Sequence, residues 1–522
     1  MFAFALWDSN AMTLMLVRDR LGIKPLYYIH LENELYFASE IKSLATACPR
    51  LTFDRKNFWR FLRLATSQGV NSVFEEVKRV EPATILTFSR EGLATGCYWN
   101  LLGQFCSPMT NDLHEEDAVR QFDSLMSESV RYHLVSDVPV GAFLSGGLDS
   151  STVAAYMRQL EPERDMHTYS VTFSGYAEHN EQEFARKASE HLHTAHTEVD
   201  FPTSLSRDFA ELAWACDEPF GILASYALFQ LAKVAAGSTK VVMTGDGADE
   251  LLAGYQGYLL PPTSFHEPMR SFLRAGGNAG RLFVNALPRK LRGGQSLWLK
   301  ALRKCGSPGL GFSENTTYSS ALDYLVLNGS YVAEAWKAWT QNQAARDYDA
   351  LSGGSDLRRK LYSSLKSRLV DEMLTKVDRM TMAHGLEARV PFLDHLLVEF
   401  AIALPDNMKL NRTQTPSMQG KYILKRVAER RLPRSIVYRE KHGFDIPLQE
   451  WMRQIGDRTI VDLLLNGVLV REKIVEEKAL HKMLLDGERQ SFPASQLVAN
   501  LLIFEEWYRV YASRVPGFSL SF

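Results

Sequence analysis

The chain has 522 residues, 46% of them hydrophobic, and a formal net charge of −2. That composition suits roughly two to four globular domains and carries no basic surplus that would favour nucleic acid as a partner. Five cysteines, Cys48, Cys97, Cys106, Cys216 and Cys305, lie far apart with no Cys-x-x-Cys pair. This spacing excludes a disulfide framework, so a reducing, cytoplasmic location is expected.

Met1–Leu6 is apolar but lacks a basic lead-in and continues straight into Trp7-Asp8, so it reads as a strand and not as a signal peptide. From Met1 to about Trp99, short runs follow one another, FAFAL, TLMLV, LYYI, LYFAS and ATILTF, and predict a β-rich region. Leu101–Asp112 is the expected linker, and Glu115–His133 an amphipathic helix. An apolar run, Pro139–Leu144, then enters the turn Ser145-Gly146-Gly147-Leu148-Asp149-Ser150-Ser151, followed by helix-like Thr152–Arg158. Further strands are expected at His167–Phe173, His196–Val199 and Lys240–Thr244, with a helix at Glu181–Leu192. This alternation predicts a parallel sheet with helices on both faces. Beyond Tyr258 the pattern is mainly helical; no repeat is evident and no apolar stretch reaches the length of a membrane span.

The turn after Leu144 has the makings of a phosphate site. Its glycines let the backbone approach an anion, and the following helix start adds partial positive charge. It is not the Gly-x-x-x-x-Gly-Lys-Ser/Thr loop, so no lysine is placed over a γ-phosphate. A second strand end carries Gly245-Asp246-Gly247-Ala248-Asp249-Glu250, three acids beside the expected phosphate loop. Carboxylates there need a cation, and Asp149 and Asp249 are the expected Mg²⁺ ligands. The plainer alternatives are a helix-capping turn and a solvated acidic turn. Arg270–Lys304 holds nine Lys/Arg and no acid, a pattern that more often covers a domain's own apolar edge than binds an anionic surface. His179, His191, His193 and His196 lack converging spacing, and solvated or capping roles are expected for them.

Six motifs in order, SGGLDSS (145–151), DEPF (217–220), TGDGADELLAGY (244–255), LTKVDRMTMAHGLEARVPFLD (374–394), GKYILK (420–425) and REKHGF (439–444), together resemble the glutamine-dependent asparagine synthetase family. MFAFALWD (1–8), RDRLGIKPLYY (18–28) and FASEIKSL (37–44) are similar to the latter part of that family's glutaminase domain. The resemblance implies an α/β fold, a doubly wound parallel sheet of the PP-loop type with a helical C-terminal part. A partial N-terminal-nucleophile (αββα) glutaminase domain would precede it. The implied domains are 1–105, a partial type 2 glutamine amidotransferase lacking the catalytic cysteine, and 113–515, the ATP-pyrophosphatase synthetase.

The implied reaction adenylates aspartate's side-chain carboxylate with ATP and then amidates it, giving asparagine, AMP and pyrophosphate. Ser145, Gly146, Gly147, Leu148, Asp149 and Ser150 would hold the pyrophosphate, Phe143 and Val171 would flank the adenosine, and Thr244-Gly245 would line the AMP. Lys441 matches an active-site lysine. Asp246 replaces the family's usual glutamate and would align or deprotonate the attacking nitrogen. Glu387 and Arg389 would act near the site or form a structural ion pair. The family starts with a cysteine nucleophile, whereas this chain begins Met1-Phe2. The expectation is therefore amide formation from ammonium and not from glutamine, with exposed sheet edges unless another polypeptide covers them. Two alternatives remain: a related ligase acting on another carboxylate, in polysaccharide or natural-product synthesis, and a nucleotide-binding remnant. A homodimer or a separate glutaminase partner is left open.

Overall fold

A computed structural model describes residues 1–106, 113–173, 181–201, 208–259, 343–411, 413, 420–439, 448, 457–485 and 492–521. The N-terminal region is β-rich, as the short apolar runs predict. Strands β1 (Ala3–Asp8), β2 (Thr13–Arg18), β3 (Tyr27–Leu31), β4 (Glu34–Ala38), β5 (Arg50–Thr52), β6 (Lys78–Arg79), β7 (Thr84–Ser89) and β8 (Gly92–Cys97) occupy it. They form an antiparallel sheet in the order β1-β2-β7-β8 and a smaller one in the order β4-β3-β6. On β1, at one end of the larger sheet, Phe4, Leu6 and Trp7 are exposed.

The second half of the fold is a five-stranded parallel sheet. Its strands are β9 (Val140–Phe143), β10 (His167–Thr172), β11 (Ala195–Asp200), β12 (Val241–Met243) and β13 (Glu387–Arg389), in the order β11-β10-β9-β12-β13. β9, β10 and β12 are almost wholly buried, and for β9 and β12 this is why they read as unbroken apolar runs and not as alternation. Val140, Ala142, Val241 and Met243 join one core cluster with helices 115–134 and 148–160; Phe143, Tyr169, Val242 and Ala388 join another with helices 208–216, 224–235 and 375–382. The sheet is thus covered on both faces. The chain runs outward from β9 through β10 to β11 and then returns to β12 on β9's other side. The crevice between the ends of β9 and β12 is where such sheets bind ligands.

Three features depart from the sequence reading. The expected linker opens as a helix, Leu101–Cys106, with Leu101 and Phe105 buried; the Phe105 ring packs 5.4 Å from that of Tyr362. A fifth strand, β13, lies in the region beyond Tyr258 that was expected to be mainly helical. Finally, the N-terminal region has a small core cluster of its own around Leu16, Leu26, Val80 and Leu86, but the rest of its core is shared. Phe53, Phe58 and Phe61 share a cluster with Leu497, Phe504 and Trp507 of helix Phe492–Arg514, and strand β14 (Ser519–Ser521) pairs in parallel with β5. The basic stretch 270–304 and His179 lie outside the described residues.

Candidate active site

The Ser/Gly-rich turn leaves β9 at Phe143 and becomes helix Leu148–Leu160 with Gly147 at its N-cap. Gly146 has φ +69°, and a Cβ there would overlap the backbone of Phe184 and Ala185. Only glycine lets the turn lie against that neighbouring helix. The turn closes on itself through Ser145 and Ser150: the hydroxyls are 3.2 Å apart, Ser145 N–H donates to Ser150 Oγ at 3.3 Å, and Gly147 N–H to Ser145 Oγ at 3.3 Å. No side chain caps the helix start.

The second motif meets the first by direct contact. A Cβ on Gly245 would sit 2.7 Å from Asp149 Cβ and 2.8 Å from Ser150 N, so the end of β12 packs onto the Ser145–Ser150 turn only because residue 245 is glycine. Gly247, φ +93°, starts helix Ala248–Leu252, which puts Asp249 in its first turn. Thr244 N–H donates to Arg389 O at 2.9 Å, fastening the strand end to β13. Thr244 Oγ1 accepts from Asp246 N–H at 3.4 Å, and Asp246 is half-buried at the crevice.

Between the two motifs stands Lys421. Its Nζ lies 2.5 Å from Asp149 Oδ2 and 2.7 Å from Asp249 Oδ1. Burial alone would lower the pKa of this amine; Asp149 and then Asp249 outweigh it and hold the pKa above the ordinary lysine value. Lys421 has φ +58° and its N–H donates to Leu252 O at 2.9 Å. A side chain on Gly420 would overlap Ala253 O, and one on Gly254 would overlap Asp249 and the Lys421 stem. One turn further along the helix, Lys425 is drawn down to about 8 by burial and by the Lys421 charge, with Asp149 opposing. The motif GKYILK carries both lysines, yet no pattern in it distinguishes a lysine inserted between carboxylates from one in solvent.

Phe143 and Val171 lie at the same edge of the sheet, in one apolar cluster. Glu387 and Arg389 instead face helix Glu115–Leu134. Arg389 Nε is 2.7 Å from Glu387 Oε1, and its Nη1 donates to His133 O at 2.6 Å and Val135 O at 2.7 Å. Their side chains bond each other and the end of that helix. Lys441 lies outside the described residues. His191 meets Arg431 O, His193 closes its helix in the left-handed conformation, and His196 bonds Thr168 and Ser170. Among the described residues, no group of three or more His, Cys, Asp or Glu is arranged to hold a metal, and no helix is long and apolar enough to cross a membrane.

The motif DEPF is remote in role from this crevice. Asp217 accepts from Ile41 N–H at 2.9 Å and pairs with Arg379 at 2.9 Å and Lys42 at 3.2 Å. Glu218 pairs with Arg79 at 2.6 Å, and Arg79 also holds Asp371 at 3.0 Å. The motif therefore ties the N-terminal strands to the parallel-sheet region.

With this geometry in view, residues 121–509 match the family described as asparagine synthase, and residues 1–99 match a glutamine amidotransferase domain. The chain belongs to the asparagine synthase family. A Bacillus subtilis relative named asparagine synthetase [glutamine-hydrolyzing] 1 is 27% identical over 98% of this chain and 77% of its own length. A Mycobacterium bovis relative named putative asparagine synthetase [glutamine-hydrolyzing] is 30% identical over 99% of this chain and 78% of its own length. A protein of Gibberella zeae named amidase chry2 is 28% identical over 86% of this chain and 70% of its own length.

Proposed function

We propose that this member of the family, a carbon–nitrogen ligase, makes asparagine from aspartate, ATP and ammonia, either free or released from glutamine, on a sheet of the PP-loop type. A carboxylate oxygen of aspartate's side chain attacks the α-phosphorus of ATP, the bond to the β-phosphate oxygen breaks, and pyrophosphate leaves. Ammonia then attacks the acyl carbon, loses a proton, and AMP departs with the electron pair of the broken C–O bond.

The observation that carries the reading is the pair Asp149 and Asp249 converging on one cation beside the Ser145–Ser150 turn. A turn with no lysine over a γ-phosphate, but with charge balance placed on the strand edge, suits a departing pyrophosphate better than a transferred γ-phosphoryl group. These two hard oxygen donors also fit Mg²⁺ shared with substrate phosphates, since such ions use one or two protein carboxylates; bound there, it would neutralise charge on the pyrophosphate. Lys421 is placed to turn its ammonium from the carboxylates to a phosphate oxygen. Phe143 and Val171 offer the apolar contact an adenine needs, and Thr244-Gly245 the backbone beside the AMP. Asp246, half-buried at the crevice, is the group to accept the nitrogen's proton, and Lys441 is proposed to meet the pentacoordinate phosphorus.

The test is product analysis with aspartate, ATP, Mg²⁺ and ammonium. AMP and pyrophosphate are expected in equal amounts with asparagine; ADP and orthophosphate would refute the reading. Asp149→Asn leaves the turn intact but removes a charge from the cation site, and a loss of about 10²-fold or more in turnover is expected.

A further inference from the structure

Arg439 is the one residue of REKHGF with a described position, and its surroundings are unusual for an arginine. Its side chain is only 7% exposed. The guanidinium lies over the Phe184 ring, 4.7 Å from its centroid, and Nη2 pairs with Glu181, the residue before helix Gln182–Leu192. Nη2 is also 3.6 Å from where a Cβ on Gly147 would stand, so the guanidinium lies against the phosphate turn itself. Nη1 is buried and, among the described residues, makes no hydrogen bond. A buried guanidinium nitrogen with unmet donors is costly, and such a group is retained where an acceptor arrives.

We propose that Arg439 is a further pyrophosphate-binding residue of the Ser145–Ser150 turn, and that Glu181 is the carboxylate that competes with the ligand for it. The inference rests on reading that turn as a pyrophosphate site. Arginine's planar fork suits two oxygens of one phosphate, and stacking on Phe184 fixes its plane beforehand. Glu181 satisfies one nitrogen and leaves the other unmet, whereas a polyanion in the turn would engage both. The ligand and Glu181 therefore compete for the same cation, and this competition separates the proposal from a purely structural ion pair. A structural pair would suffer from loss of either partner. In the proposal the two substitutions act in opposite directions.

The experiment is calorimetric titration of the whole chain with inorganic pyrophosphate in magnesium chloride, with circular dichroism as the check on folding. Arg439→Gln is expected to weaken binding about tenfold or more, and Arg439→Lys to weaken it less. Glu181→Gln is expected to tighten it, by roughly threefold or more, because the competing carboxylate is gone. Should Arg439→Gln not fold, Glu181→Gln alone decides. Equal or weaker binding by Glu181→Gln, or unchanged binding by a folded Arg439→Gln, overturns the role of Arg439 while leaving the turn as the pyrophosphate site. Failure of the unsubstituted chain to bind pyrophosphate overturns both.

Discussion

Lys421 and Lys425 stand one helical turn apart and have opposite electrostatic fates. Two carboxylates keep Lys421 charged, while burial and Lys421 itself bring Lys425 down to about 8. Lys425 therefore gives up its proton more readily than an ordinary lysine, and a polyanion bound nearby favours its charged form and raises its pKa. Pyrophosphate binding at pH 8 should then take up protons, and it should do so less at pH 6.5, where Lys425 is already charged. Titrations in buffers of different ionisation enthalpy measure this; the uptake should vanish in Lys425→Met. Neither lysine's state was legible in GKYILK, because Lys421 is held charged by Asp149 and Asp249, which lie far away in the chain, and Lys425 is shifted by its burial and by Lys421. The carboxylates themselves were legible, since each follows directly on a glycine-rich strand end.

At the scale of elements, the site is made by glycines that allow backbones to touch. Gly146 seats the turn on the Phe184 backbone, Gly245 seats the end of β12 on Asp149, and Gly420 admits Lys421 beside Ala253 O. Gly420→Ala should displace Lys421 from between its carboxylates at a stability cost of about 1–3 kcal/mol. The expected outcome is a folded protein whose kcat falls far more than its thermal midpoint; an unchanged kcat would show that the lysine's place does not matter. The strands β9 and β12 were readable as strands because full burial leaves an apolar run bounded by turn residues. β13 was not, because it has three residues, two of them charged, and only Ala388 shows its buried face. The first turn of the supposed linker was missed because LLGQFC presents just Leu101 and Phe105 to the core, too short a pattern to show helical periodicity.

For the whole molecule, the joint between the N-terminal strands and the parallel-sheet region contains buried ion pairs as well as shared apolar core. Arg79 lies between Glu218 and Asp371, and Arg379 reaches both Asp217 and Ser39 O. Burial pushes the Asp371 carboxyl up to about 6, against the pull of Arg79 and of the Gly69 N–H. An aspartate with a raised folded pKa contributes stability that is complete below its unfolded value near 3.8 and is lost as pH rises through about 6. Relative to Asp371→Asn, which cannot ionise, the unsubstituted protein should therefore lose stability as pH rises from 4 to 7. Thermal midpoints of the two proteins across that range check it; parallel curves would contradict it. The shared core of Phe58, Phe504 and Trp507 was not visible in the sequence, because hydrophobic patterning marks a buried face without saying which distant element covers it.

In the proposed reaction the side-chain carboxylate of aspartate is adenylated before nitrogen attacks. Aspartate labelled with ¹⁸O in its side-chain carboxylate tests this most directly, by mass spectrometry of the nucleotide product after turnover with ATP and ammonium. One ¹⁸O should appear in the phosphate of AMP, with none in pyrophosphate, because the oxygen that attacks phosphorus leaves with AMP when nitrogen displaces it. Unlabelled AMP, or label recovered in orthophosphate alongside ADP, would contradict the account.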